Sequence, residues 1–134
     1  MAYKVFISHS GVDTWVAEQI EKYLKEAGAD SFLDERNIEI GDNFMQVIIG
    51  EIKSSNEFVV LFTPWALERT YIWLEIGGAM VQEIRIIPIL YGISLLDFQQ
   101  HPKVPSELKS LDIVDINDIG TYFNQVQNRM HRYK

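Results

Sequence analysis

The chain has 134 residues, no cysteine, 47% hydrophobic residues and a formal net charge of −7. That length suits one domain able to bury about two thirds of its unfolded surface, and residues 1–134 read as a single domain. The composition excludes a disulfide framework, a thiol nucleophile and a thiolate metal centre, and its acidic balance argues against nucleic-acid binding, which rests on Lys and Arg contacts to phosphate. No apolar run approaches the roughly 20 residues needed to span a bilayer. Met1-Ala2-Tyr3-Lys4-Val5 enters a strand-like pattern directly, without signal-peptide architecture. The expectation is a cytoplasmic protein with neither a nucleic-acid nor a membrane partner. An anionic ligand would need a local site, because no general positive field exists to attract it.

Lys4–Ser8 is a short apolar run that ends in Ser8-His9-Ser10-Gly11, a buried strand followed by a turn. Val12, Val16, Ile20, Tyr23, Leu24 and Ala27 then recur at helical spacing, with Asp13 placed to cap the helix and Gly28 to close it. A second strand is expected around Asp30–Leu33. The charged connection from Asp34 to Asp42 is nine residues, longer than the about 2–6 usual between strand and helix, and over-long loops are often functional. Asp42 or Asn43 can cap the next helix, whose apolar face is Phe44, Val47, Ile48 and Ile52. Glu57–Thr63 is the clearest strand, continuous in apolar residues as a central parallel strand should be, and Pro64 stops it.

A helix follows that carries Glu75, and Arg85–Leu90 forms the fourth strand, whose Pro88 suggests a place near an edge or at a bulge. Residues 91–110 read as irregular, with one short helix near Leu95–Phe98. Leu111–Asp115 is a weak fifth strand. A last helix presents Ile119, Tyr122, Phe123, Val126 and Met130 on one face. Alternating strands and helices imply an α/β three-layer sandwich, a five-stranded parallel sheet with helices on both faces. In the flavodoxin-like order 2-1-3-4-5, ligands bind at the switch point between the first and third strands, outside their carboxyl ends. Here those ends are Ser8-His9-Ser10 and Thr63-Pro64-Trp65.

The loop after the third strand leads into Tyr71–Gln82, where Glu75 is the one charge among aromatic, aliphatic and small residues. A carboxylate taken out of water without partners costs several kcal/mol, so its place beside the crevice marks it as a candidate functional group. Two other flavodoxin-like readings fit poorly. A phospho-receiver needs acidic residues where Ser8-His9 and Thr63-Pro64 stand, and a flavin carrier needs a fuller phosphate loop than Ser8–Asp13 offers. No G-x-G-x-x-G fingerprint is present, and no spacing of His and acidic residues suggests a metal site.

Four segments carry a resemblance to a known family. They are Val5-Phe6-Ile7-Ser8-His9-Ser10, the connection from Asp34 to Gly41, Thr63-Pro64, and Tyr71-x-x-x-Glu75-Ile76-Gly77. In this order and spacing they resemble the first strand, BB loop, S/T-P and W-x-x-x-E motifs of the Toll/interleukin-1 receptor (TIR) domain in its bacterial form. One departure stands out: Tyr71 occupies the position of the family's usual tryptophan, while Trp73 would face another direction on the helix. Tyrosine still keeps a flat ring one turn from Glu75.

The resemblance implies an NAD glycohydrolase, which would release nicotinamide and leave ADP-ribose or a cyclised form, activated by self-association with other TIR domains in bacterial defence signalling. NAD+ would be the substrate, with no other cofactor. Glu75 would stabilise the oxocarbenium-like state of the ribose. Ser8, His9 and Ser10 would contact ribose or phosphate, Arg36 and Gly41 would lie in the loop covering the site, and Trp65 and Tyr71 would stack on a flat ring. The same family also implies an alternative, a noncatalytic TIR–TIR interaction module, which would keep the loop and helix surfaces but would not require Glu75.

Overall fold

The computed structural model describes residues 2–33, 41 and 43–133. Its centre is a parallel sheet of β1 (Lys4–Ser8), β2 (Asp30–Phe32), β3 (Glu57–Phe62), β4 (Arg85–Leu90) and β5 (Val114–Asp115), in the order β2-β1-β3-β4-β5. This is the flavodoxin-like arrangement the alternating pattern implies. Register places Val5 beside Glu57 and Ser8 beside Val60, so β1 and β3 end together at the switch point.

Side chains on a strand alternate between faces, and each face of this sheet has its own core. On one, Phe6, Phe58, Val60 and Phe62 pack with Ile48 and Ile52 of α2 (Phe44–Lys53), Ile72, Ile76 and Ala79 of α3 (Thr70–Val81), and Phe98 of α4 (Leu95–Gln100). On the other, Val5, Ile7, Val59, Leu61 and Ile89 meet Ala17, Ile20 and Leu24 of α1 (Thr14–Glu26) and Tyr122, Val126 and Met130 of α6 (Ile119–Tyr133). Every residue of β3 is buried, as a central strand covered on both faces requires. Phe58 stacks on Phe6 with ring centroids 5.2 Å apart. Truncating Phe58 to alanine would cost about 3–5 kcal/mol.

Several local expectations are corrected. Asp13 precedes α1 but makes no side-chain cap; its carboxylate is committed elsewhere, as described below. Val12 is 64% exposed, because Gly11–Asp13 forms a 3-10 turn ahead of α1 and takes Val12 off the helix face. Phe44 is also on the surface, so the buried face of α2 is narrower than its sequence suggests. Asn43 caps α2 by accepting a hydrogen bond from the Gln46 amide at 3.0 Å, whereas Asp42 lies outside the described residues.

Gly28, at φ +103°, ends α1 in a conformation that disfavours a side chain. The stretch expected to be irregular holds α4 and also a short α5 (Ser106–Lys109). Pro88 is buried one strand in from the edge, and β5 pairs with β4 only at Ile89 and Leu90, so the fifth strand is shorter than its apolar run. No helix among the described residues is long and apolar enough to cross a membrane.

Candidate active site

The carboxyl end of β1 and the first turns of α3 meet over the switch point. Ser8 is fully buried as the last residue of β1. Its Oγ donates a 2.6 Å hydrogen bond to Oε1 of Glu75, which is 3% exposed. A hydroxyl bonded to a carboxylate at that distance is a strong, charge-assisted contact. The packing of Ile72 and Ile76 on either side of Glu75 in α3 excludes water from the same face, which strengthens any electrostatic interaction the carboxylate makes.

One turn earlier on α3, the Tyr71 hydroxyl donates to the His9 carbonyl at 3.0 Å. Tyr71 and Glu75 therefore grip two consecutive residues, Ser8 at the end of β1 and His9 just after it, as their one-turn spacing permits. The polar end of tyrosine gives this position a directed donor to the loop backbone. Trp73 faces elsewhere, as expected. Its Nε1 donates to the Leu67 carbonyl at 3.0 Å, and its ring lies 5.7 Å from Phe62 in the core.

His9 is buried, with Nδ1 3.3 Å from the Ile7 carbonyl and Nε2 3.5 Å from the Thr14 hydroxyl. Ser10 is buried beside it, and its Oγ has no hydrogen-bond partner among the described residues. Across the crevice Trp65 is 55% exposed. Gly41 is exposed at φ +96°, a conformation suited to glycine. Arg36 and the rest of the connection from Asp34 to Ile40 lie outside the described residues.

Sequence reasoning placed Thr63 at the crevice and Asp13 as a helix cap but did not pair them. Thr63 donates from Oγ1 to Oδ2 of buried Asp13 at 2.6 Å, and the same hydroxyl accepts the Ala66 amide at 3.0 Å. The signal was a threonine just after β3 and an acid in the turn after β1, which the fold brings to one switch point.

A 710 Å³ cavity lies elsewhere, lined by Glu83, Arg85, Leu108, Asp112, Gln125 and Arg129 among others. None of the predicted site residues among those described borders it. Its Arg129 is already committed to Glu57 through Nε and Nη2, at 2.5 and 2.9 Å. The buried carboxylate and hydroxyl converge at the switch point, which is the candidate site. Among the described residues no group of His and acidic side chains is arranged to hold a metal ion.

Comparison with known proteins bears on the family and the fold of the chain. Residues 5–129 match the family described as TIR domain. A relative from Brachypodium distachyon, the probable 2′ cyclic ADP-D-ribose synthase BdTIR, is 34% identical over 97 residues, covering 71% of this chain and 43% of its own. A second, the probable 2′ cyclic ADP-D-ribose synthase TcpO of Methanobrevibacter olleyae, is 28% identical over 102 residues, covering 73% of this chain and 30% of its own. The chain thus spans less than half the length of these relatives. The crystal structure of the TIR domain of the Toll-related receptor TRR-2 from Hydra magnipapillata shares the fold with a TM-score of 0.74 at 24% identity, over 96% of this chain and 97% of that one.

Proposed function

The chain belongs to the TIR-domain family, and from that premise we propose that it is an NAD+ nucleosidase with Glu75 as its catalytic carboxylate. The observation that carries this reading is the buried Glu75 carboxylate held by the Ser8 hydroxyl at the switch-point crevice. In the proposed reaction the bond between ribose C1′ and the nicotinamide nitrogen breaks. Its electron pair stays with nicotinamide and neutralises the charged ring, so the leaving group needs no proton. The positive charge passes to the ribose as an oxocarbenium-like centre, which an ionised carboxylate in a water-poor site stabilises.

Water, or a hydroxyl of the same molecule, then captures C1′ and loses a proton. The second route gives a cyclic product, the class for which both relatives are named. The first gives ADP-ribose. Ser8 orients one carboxylate oxygen, leaving Glu75 pre-organised. Ser10 offers a hydroxyl to ribose or phosphate, and exposed Trp65 offers a face on which a flat ring can stack. His9 and Tyr71 shape the loop that follows Ser8. Arg36 and Gly41 belong to the connection proposed to cover the site, with Arg36 available for phosphate.

At 3% exposure Glu75 meets substrate only once the crevice opens. Self-association with other TIR domains is the proposed trigger, and defence signalling in the cytoplasm the proposed setting. The noncatalytic interaction module remains the competing class, separated from this one by a single assay. Purified protein should release nicotinamide from NAD+, and Glu75→Ala should not; equal release by both proteins would refute the assignment.

A further inference from the structure

We propose that Asp13 is a positioning residue of this site: through Thr63, its buried carboxylate fixes the turn that launches the Glu75 helix. Asp13 is 5% exposed, and a carboxylate at that depth requires strong hydrogen bonds. It stands where a cap for α1 belongs, yet caps nothing with its side chain. Instead Oδ2 accepts the Thr63 hydroxyl proton at 2.6 Å, across 50 residues of sequence.

Thr63 is fully buried and works in both directions. While donating to Asp13, its Oγ1 accepts the Ala66 amide at 3.0 Å, and its carbonyl accepts the Leu67 amide at 3.2 Å. These bonds set the 3-10 turn Ala66–Glu68, whose Ala66 and Leu67 are buried in the core. The next helix starts at Thr70. On the other side the Asp13 amide donates to the Ser10 carbonyl at 2.8 Å, holding Asp13 to the loop after β1.

Tyr71 closes a ring by returning from α3 to the His9 carbonyl. The separation of Ser8 from Glu75 is therefore fixed at two points, by Tyr71 directly and by Asp13 through Thr63. A misplacement of about 1 Å at such a site can cost about 10²-fold in rate.

The kinetic arm of the test rests on the nucleosidase reading; the structural arm does not. Asp13→Ala, Asp13→Asn, Thr63→Val, Thr63→Ser and the double variant Asp13→Ala/Thr63→Val would be compared by amide hydrogen exchange and by nicotinamide release from NAD+. We expect Asp13→Ala and Thr63→Val each to quicken exchange from Ala66 to Tyr71. Each should also lower kcat about tenfold or more while KM moves less than about twofold, the pattern of a misplaced catalytic group.

The double variant should be no worse than either single one. Asp13→Asn and Thr63→Ser, which keep an acceptor and a donor, should restore most of the loss. Unchanged exchange in both single variants, multiplied losses in the double variant, or a kcat loss equal to the unfolded fraction would each overturn the proposal. A wild-type protein that releases no nicotinamide would refute the enzymatic reading, and exchange alone would then decide for or against Asp13. Should Asp13→Ala fail to fold, Thr63→Val and Asp13→Asn carry the comparison.

Discussion

Two of the buried carboxylates, Glu57 and Glu75, lie at opposite ends of the sheet, and they are held by different donors. Glu57, the first residue of β3, is fully buried at the amino end. It accepts from the Tyr3 hydroxyl, from the Tyr122 hydroxyl at 3.0 Å, and from Nε and Nη2 of Arg129 at 2.5 and 2.9 Å. A bidentate guanidinium plus two phenols makes a closed, charge-balanced knot that fastens α6 to the sheet. Glu75 sits at the carboxyl end, where its Oε1 accepts from a strand-end hydroxyl, Ser8, beside the crevice. Burial of a carboxylate alone therefore does not identify a functional site. The proposal for Glu75 rests instead on its place relative to the switch point and on the chemistry of its donor.

The widest effect on stability should come from breaking the amino-end knot. Arg129→Met leaves the Glu57 carboxylate buried without its cation, and losing one partner of a buried pair costs about 3–5 kcal/mol. Chemical denaturation should show that loss, while kcat of the folded fraction stays unchanged. A fall in kcat beyond the unfolded fraction would show that the two ends are not independent.

At the carboxyl end the ranking should reverse. Ser8→Ala removes the donor that orients Glu75 and should lower kcat about tenfold, in line with a hydrogen bond to a charged group. Its denaturation midpoint should move far less than that of Arg129→Met. Tyr71→Phe keeps the ring but loses the bond to the His9 carbonyl, worth about 1 kcal/mol. A lower kcat at constant KM would mark Tyr71 as a holder of the loop, whereas full activity in this variant and a raised KM in Tyr71→Leu would mark a stacking platform.

The smallest effect is on pH dependence. Burial, followed by the Glu57 hydrogen bond, raises the Tyr3 hydroxyl above its ordinary value of 10.0, and burial with the Glu57 charge does the same to Tyr122. The folded state thus binds these protons more tightly than the unfolded chain. Their contribution is fully present below pH 10.0 and is lost as pH rises above it toward the folded values. Stability should fall through that alkaline range, less steeply in Tyr122→Phe; an unchanged slope would contradict the assignment.

Much of this was legible in the sequence because it is local. The continuous apolar run of β3, the helical spacing in α6 and the turn residues after β1 follow from short-range pattern, and in the flavodoxin-like strand order they place the crevice. Glu75 stood out as the lone charge of its stretch. The knot at Glu57 was not legible as such, since its partners lie 54 to 72 residues away. Its trace is Tyr122 and Arg129 spaced seven apart on one helix, a repeat that α6 places on one face. Asp13 misled for a related reason: local propensity made it a helix cap, but a hydrogen bond to Thr63 from across the sheet outweighed that preference. Val12 fitted a helical period only because the period cannot reveal a 3-10 turn.

The measurement closest to the central claim is nicotinamide release from NAD+ by the wild-type protein and by Glu75→Gln, followed across a wide range of protein concentration. Glutamine keeps the shape and the acceptor for Ser8 but removes the charge. We expect release by the wild type that rises more steeply than protein concentration, and a loss of about 10²–10³-fold in the variant with its unfolding midpoint preserved. Equal release by the two proteins, or none from the wild type at concentrations where it self-associates, would contradict Glu75 as the catalytic carboxylate.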